Sequence, residues 1–384
     1  MKKLFCIILS TFLFICSAPY ICAQSTESAS ALYTPSVSAE SAILIDADSG
    51  RILYEKNAYE RMGMASTTKL MTALVALELA HGGDIISVPA EAVGVEGSSI
   101  YLVEGEMLTL EELLYALLLS SANDAAVAIA VSLAGSVESF AEKMNAHAQA
   151  LGLNDTHFSN PHGLYDEEHY TTAAELGIIA AEALKNETVR KIVATKKITI
   201  PHNGLPDTRL LVNHNKMLSY YDGAIGMKTG FTQKTGRCLV SAAERDGMTL
   251  IAVTLNAPDD WHDHTFLLDF GFENFERKIF YAAGAFSYAL PLSDSNKESV
   301  SLTNIEPLTL TVRKGAQISS VTVEAPFRFM VGKTYRGRLF GRVTVCADGE
   351  SVSSALAFSE NTESNTKRQI GFFERIYTFF LIDG

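Results

Sequence analysis

Apolar residues recur at helical spacing in five stretches of the N-terminal two-thirds of the chain: Ser66 to Ala80, Leu110 to Leu119, Asn123 to Ala134, Val137 to Leu151 and Thr171 to Leu184. Each is predicted as a helix, with Leu70, Leu74 and Leu77 marking the buried side of the first. Gly82-Gly83 closes the first, while Gly135 and Gly152 close the third and fourth. The alanine-rich stretch Asn123 to Ala134 reads as a helix buried on most sides. Strand patterns flank this group. Ala42 to Asp46 and Arg51 to Tyr54 are joined by the turn Ala47-Asp48-Ser49-Gly50. After Asn213 come strands at Ala224 to Thr232, Arg237 to Ala243 and Met248 to Asn256, the last two linked by the hairpin signal Arg245-Asp246-Gly247. A helix follows at Asp259 to Phe270. A helical cluster with an antiparallel sheet built from both ends of the segment is an α+β layout.

From Tyr281 onward helical periodicity stops. Short alternating runs (Val300 to Leu302, Leu308 to Val312, Val321 to Val323, Leu339 to Val345) are separated by Gly, Pro and Lys, the texture of a small all-β domain. The polar stretch Ser359 to Lys367 leads to an apolar tail, Ile370 to Ile382, whose Phe, Tyr, Ile and Leu residues cover a wide helical arc opposite Glu374, Arg375 and Thr378. As a helix it would reach about 20 Å, short of a bilayer core of about 30 Å, so it is expected to lie in a membrane surface. At the other end, Lys2 and Lys3 precede the apolar run Leu4 to Cys16 and a small-residue cut site at Ala23-Gln24, the layout of a secretory signal peptide. The expected organisation is a signal peptide over 1–23, a linker over 24–38, a first domain over 39–280, a β-sandwich over 281–358, and a polar linker with the amphipathic tail over 359–384.

Composition narrows the function classes. The 384 residues are 47% hydrophobic and 20% charged, ordinary for a globular protein with a real core. The net charge of -13, with no cluster of Lys or Arg, argues against nucleic-acid binding, which needs a basic face. Three cysteines, Cys6, Cys16 and Cys22, lie in the signal segment. Cys238 and Cys346, far apart in predicted strands, make neither a disulfide framework nor a metal motif and are expected unpaired.

Candidate chemistry begins at Ser66-Thr67-Thr68-Lys69. A serine opening a helix sits among unpaired backbone N–H groups that favour developing negative charge. A lysine three residues on shares its face, and a partly desolvated lysine can act as base for a hydroxyl. The same spacing at Ser364-Asn365-Thr366-Lys367 falls in the polar linker, so position distinguishes the first. Ser121-Ala122-Asn123 lies between two helical runs, and Lys228-Thr229-Gly230 lies within a predicted strand. A second triplet, Lys234-Thr235-Gly236, falls where the chain turns into the next strand.

Ser-x-x-Lys, Ser-x-Asn and Lys-Thr-Gly in this order form the set shared by penicillin-binding proteins and class A β-lactamases. The chain resembles the low-molecular-mass penicillin-binding proteins, the serine D-alanyl-D-alanine carboxypeptidases. Asn160-Pro161-His162-Gly163-Leu164, Asn213-His214-Asn215 with Met217-Leu218, and Gly226 to Thr232 carry the resemblance further, as does the domain order. It implies the penicillin-binding-type catalytic fold followed by the small β domain. It also implies an acylated Ser66 with Lys69 as its base. Ser121 would relay a proton to the departing D-alanine, and Asn123 would hold the substrate amide and the lysine. Lys228 and Thr229 would receive the substrate carboxylate, Gly230 would line the substrate strand, and the N–H groups of Ser66 and Phe231 would hold the oxyanion. The implied partners are a peptidoglycan peptide ending in D-Ala-D-Ala, β-lactams as covalent inhibitors, and a membrane surface. No cofactor and no metal is implied.

Three rival readings are weaker. A class A β-lactamase needs a glutamate to activate the deacylating water, and the stretch Asp155 to Gly163 offers only Asp155. A zinc peptidase would draw on His262 and His264, which fall on nearly opposite faces of a helix. A non-catalytic wall scaffold is disfavoured because all three triplets are intact. The stretch Asn256 to Thr265 contains no arginine to assist the substrate carboxylate, so that partner stays unassigned.

Overall fold

A computed structural model describes residues 35–202, 208–292, 297–326, 333–334 and 336–363. The proposed signal peptide, the tail Ile370 to Ile382 and the second Ser-x-x-Lys lie outside the described residues. The chain divides between Arg277 and Lys278 into two compact units.

The first unit is built on an antiparallel sheet of order β2-β1-β9-β8-β7. Its strands are β1 (Ser41–Asp46), β2 (Ile52–Lys56), β7 (Ala224–Thr232), β8 (Gly236–Arg245) and β9 (Met248–Leu255). Every residue of β1 and β9 is buried, because both faces of the sheet are covered. Alternation along β1 sends Ile43 and Ile45 into the large helical core and Ala42 and Leu44 into a second core with Leu267 and Leu268. The Asp246-Gly247 pair turns β8 into β9 with both residues at positive φ, 52° and 74°, as an Asp-Gly hairpin requires.

On the first face lie α1 (Lys69–Leu79), α2 (Leu110–Leu119), α3 (Asn123–Ala134), α4 (Val137–Ala150), α5 (Ala173–Lys185) and α6 (Glu187–Ala194). The other face carries α8 (Asp260–Asn274). A Thr109–Glu112 capping box starts α2, and left-handed Gly135 ends α3. The expected burial of α3 is met: Asn123 through Ala130 are all inside. Elements with weaker patterns complete the unit: the hairpin of β3 (Ile85–Ser87) and β4 (Met107–Thr109), that of β5 (Lys197–Pro201) and β6 (Thr208–Val212), and the short α7 (Met217–Tyr220).

One difference from the sequence reading matters for the site. Residues Ala65–Thr68 form a 3-10 turn, and the α-helix begins only at Lys69. The hydroxyls of Thr67 and Thr68 donate back to the carbonyls of Met64 (2.6 Å) and Ala65 (2.7 Å). Such bonds compete with the α-helical pattern and tighten the turn.

Among the described residues the second unit is all β. Its main sheet has the order β11-β12-β17-β16-β14. After β10 (Phe275–Tyr281) come β11 (Ser287–Pro291), β12 (Ser299–Asn304), β13 (Leu308–Arg313), β14 (Ile318–Glu324), β15 (Lys333–Thr334), β16 (Leu339–Ala347), β17 (Glu350–Phe358) and β18 (Thr362–Glu363). Leu290, Val300, Leu302, Leu308, Val343, Val345, Leu356 and Phe358 form its core. Cys238 on β8 and Cys346 on β16 are free thiols, the first buried and the second half-buried. No single helix among the described residues is long and apolar enough to cross a membrane.

A buried ion pair ties the β5–β6 hairpin to the loop before β4. Arg209 is 9% exposed and its partner Glu106 is fully buried; Arg209 also donates to the carbonyls of Ile100 and Tyr101. Removing one member of such a pair leaves a desolvated charge, at a cost of about 3–5 kcal/mol. Arg209→Met is therefore expected to lower the melting temperature by ~10 °C, and Glu106→Gln in the same chain to recover part of the loss. Calorimetry of the single and double variants checks this.

Candidate active site

Ser66 and Lys69 come together because the tight turn sets them three residues apart on one side. Lys69 Nζ lies 2.9 Å from Ser66 Oγ. The same amine donates to Asn123 Oδ1 at 2.7 Å and to the carbonyl of His162 at 2.5 Å. Asn123 begins α3, and its Nδ2 donates to the Glu96 carbonyl at 2.6 Å. The loop that supplies this carbonyl is fixed by the next residue, buried Asp124, which accepts from Ser99 Oγ (2.6 Å) and from the N–H groups of Ile100 and Leu102 (3.1 Å each).

Lys228 enters from β7. It is buried, and its Nζ donates to the carbonyl of Thr229 at 2.7 Å. Two residues after Lys228, β7 passes directly over the serine: a Cβ at Gly230 would stand 3.0 Å from Ser66 N and 3.2 Å from the Met64 carbonyl. A side chain there would be tight, and strand or turn would have to give by a few tenths of an ångström. On the same edge strand Thr229 is half-buried and Phe231 is 62% exposed. Ser121 sits between α2 and α3, buried and left-handed at φ 59°. The structure gives its hydroxyl no hydrogen bond to Ser66 or Lys69. Ser66, Lys69, Asn123, Lys228 and Gly230 thus converge, with Ser121 at the adjoining helix break and Thr229 and Phe231 at the strand edge.

Residues 26–259 match the model of the D-alanyl-D-alanine carboxypeptidase family. The chain belongs to this family. It is 34% identical over 327 residues to D-alanyl-D-alanine carboxypeptidase DacF of Bacillus subtilis, covering 83% of this chain and 84% of that one. It is 36% identical over 263 residues to the D-alanyl-D-alanine carboxypeptidase of Streptomyces sp. K15, covering 64% and 90%. Among solved structures, penicillin-binding protein 5 of Haemophilus influenzae superposes with a TM-score of 0.71 at 29% identity, over 86% of this chain and 99% of that one. The PBP3 peptidoglycan synthesis regulatory factor of Streptococcus pneumoniae gives a TM-score of 0.72 at 27% identity, over 85% and 100%. The fold is that of a serine-type D-alanyl-D-alanine carboxypeptidase, a helical cluster on an antiparallel sheet followed by an all-β region.

In this carboxypeptidase the two buried lysines are both held below the ordinary range of an amine. Complete burial holds the Lys69 amine well below its ordinary range; Lys228 pushes the same way and Asp124 opposes. Burial alone brings Lys228 down to about 7. His162 is held neutral, at about 3, by burial and by Lys69 and His169. The second Lys-Thr-Gly belongs to the turn between β7 and β8, where Thr235 Oγ1 meets Thr232 Oγ1 at 2.9 Å and Lys234 is exposed. Asp155 accepts from Arg61 at 2.7 Å in an exposed ion pair. His264 is buried against Thr254 at 3.0 Å while His262 stacks on Phe266, so the two share no site.

Sequence reasoning missed the acceptors contributed by main chain, the carbonyls of His162 and Glu96, because a backbone oxygen leaves no trace in residue type. It also missed Asp124, whose position directly after Asn123 was the available signal.

The buried lysines give a stability prediction with a definite sign. Between pH 7 and 10.5 the folded state has released the Lys228 proton and the unfolded chain still binds it, so stability from this group rises with pH across that window. Below pH 7 the full burial penalty remains. Lys228→Met removes the penalty, so it is expected to raise the melting temperature at pH 6 and to lose that gain progressively towards pH 10. A shift that does not vary with pH would contradict the account.

Proposed function

We propose that the site cleaves the terminal D-alanine from peptidoglycan pentapeptides through an ester on Ser66. The observation that carries this reading is the Ser66 hydroxyl 2.9 Å from a fully buried amine held below its ordinary pKa. Lys69 takes the hydroxyl proton as Oγ attacks the carbonyl carbon of the penultimate D-alanine. The N–H groups of Ser66 and Phe231 receive the oxyanion, where each such donor is worth about 2.7–4 kcal/mol of barrier. Ser121 relays the proton that Lys69 took to the departing nitrogen, the C–N bond breaks and free D-alanine leaves. Asn123 orients Lys69 and the substrate amide. Lys228 and Thr229 take the terminal carboxylate, with Gly230 leaving room for the substrate to lie along β7. Water then hydrolyses the ester and restores Ser66.

A β-lactam enters the same chemistry, but its leaving group stays tethered and its ester persists. Incubated with a pentapeptide, the enzyme is expected to release one D-alanine per peptide, and penicillin to stop the release by labelling Ser66. Ser66→Ala should lose both the label and at least about a thousandfold in kcat. Rapid turnover of penicillin without D-alanine release would instead mark a β-lactamase.

The substrate lies outside the cytoplasm, and the domain organisation read from sequence fits that place: a signal peptide over 1–23, a catalytic domain over 39–280, a β-sandwich over 281–358 and a tail that rests on the outer face of the cytoplasmic membrane. Deleting residues 368–384 is expected to move the mature protein from the membrane to the soluble fraction. Unchanged sedimentation with membranes would contradict the assignment of the tail.

A further inference from the structure

The turn that carries Ser66 is held from behind by hydrogen bonds that the chemistry above does not use. Ala65, immediately before the serine, is left-handed at φ 47°, a conformation that a residue with a side chain keeps only where its surroundings impose it. Its carbonyl accepts from Thr68 Oγ1 at 2.7 Å. The Thr68 hydroxyl has one proton and gives it to that carbonyl. Its 2.7 Å contact with His169 Nε2 is therefore one in which the imidazole N–H donates. A second bond agrees: the N–H of Ser159 donates to His169 Nδ1 at 3.1 Å, which requires a lone pair there. Both place the ring proton on Nε2.

His169 is 4% exposed, and Phe158 packs edge-on against its ring at 5.7 Å. Burial brings its pKa down to about 4; His157 and Lys69 add to this and Asp166 acts against it. The ring is therefore neutral at neutral pH. The segment that bears it is closed by backbone bonds between His157 and Tyr170. From the same segment Gly163 presses on the turn, where a Cβ would stand 2.0 Å from the Ala65 carbonyl oxygen.

A trans peptide is planar, so the carbonyl of Ala65 and the N–H of Ser66 point in opposite directions. Fixing the first aims the second. The Ser66 nitrogen faces β7 at Gly230, the side on which the oxyanion is placed above.

We propose that His169 is a positioning residue whose Nε2–H, acting through Thr68, fixes the Ala65 carbonyl and thereby aims the Ser66 N–H at the oxyanion. The proposal rests on the assignment of Ser66 as nucleophile and oxyanion donor. Its test uses the full protein, with three readouts: the rate of acylation by a fluorescent penicillin, kcat and KM for D-alanine release, and the melting temperature. His169→Ala is expected to slow acylation and lower kcat by about ten- to a hundredfold, with KM within about twofold. His169→Gln keeps an N–H at similar reach and is expected to recover most of the rate. Thr68→Val should match His169→Ala, and the double variant should be no slower than Thr68→Val alone, because both act through one chain of bonds. Nitrogen NMR of the unaltered protein should show the His169 proton on Nε2 from pH 5.5 to 8. If His169→Ala does not fold, the Gln variant and the NMR signature decide. A wild-type rate in His169→Ala, additive losses in the double variant, a Gln variant as slow as Ala at equal melting temperature, or a proton on Nδ1 would each overturn the proposal. Continued labelling of Ser66→Ala would overturn the underlying assignment instead, so the two failures are distinguishable.

Discussion

A lysine amine stripped of water is the constraint around which the catalytic unit is organised. Lys69 is fully buried, and each of its three contacts comes from a different part of the chain: Ser66 from the preceding turn, Asn123 from the start of α3, and the His162 carbonyl from the loop before α5. A buried ammonium is costly, so the site tolerates this residue by holding its pKa low and by surrounding it with acceptors. Lys228 nearby adds a second suppressed positive charge. In the proposed reaction, the property that destabilises the fold is the one that would let the amine take a proton from a hydroxyl at neutral pH.

The rest of the fold keeps these contacts in register. The all-buried strands β1 and β9 fix the sheet between its two apolar layers, and β8 places β7 at the edge where Gly230 crosses the serine. Asp124 fastens the loop that fastens Asn123, and the Asn160–Leu164 segment brings both an acceptor for Lys69 and a glycine flat enough to meet the Ser66 turn. Three non-glycine residues with positive φ, Ala65, Ser121 and Met227, lie in or directly beside the site.

Much of this was legible in the residue pattern because helix periodicity, the Asp246-Gly247 turn and the order of three short motifs are local signals. The placement of Lys228 inside a strand and of Lys234 in the following turn was also legible. The start of α1 was not: a run of Ser and Thr reads as a helix cap, and whether its hydroxyls bond back to form a 3-10 turn depends on atoms rather than on spacing. Strand β17 escaped because Ser and Ala dominate Ser351 to Ala357 and mask its alternation. The contacts that organise the site from outside the motifs, the His162 carbonyl and the His169–Thr68 pair, join residues about a hundred positions apart, which no local pattern encodes.

The ionisation of Lys69 is the most direct test of this account. In protein carrying carbon-13 at the lysine ε position, with the resonance assigned from Lys69→Arg, the ε-carbon shift can be followed against pH. The account expects a midpoint well below 10.5, the ordinary value for lysine. A midpoint at or above 10.5 would mean that the amine beside Ser66 stays charged, and would contradict its proposed role as the base.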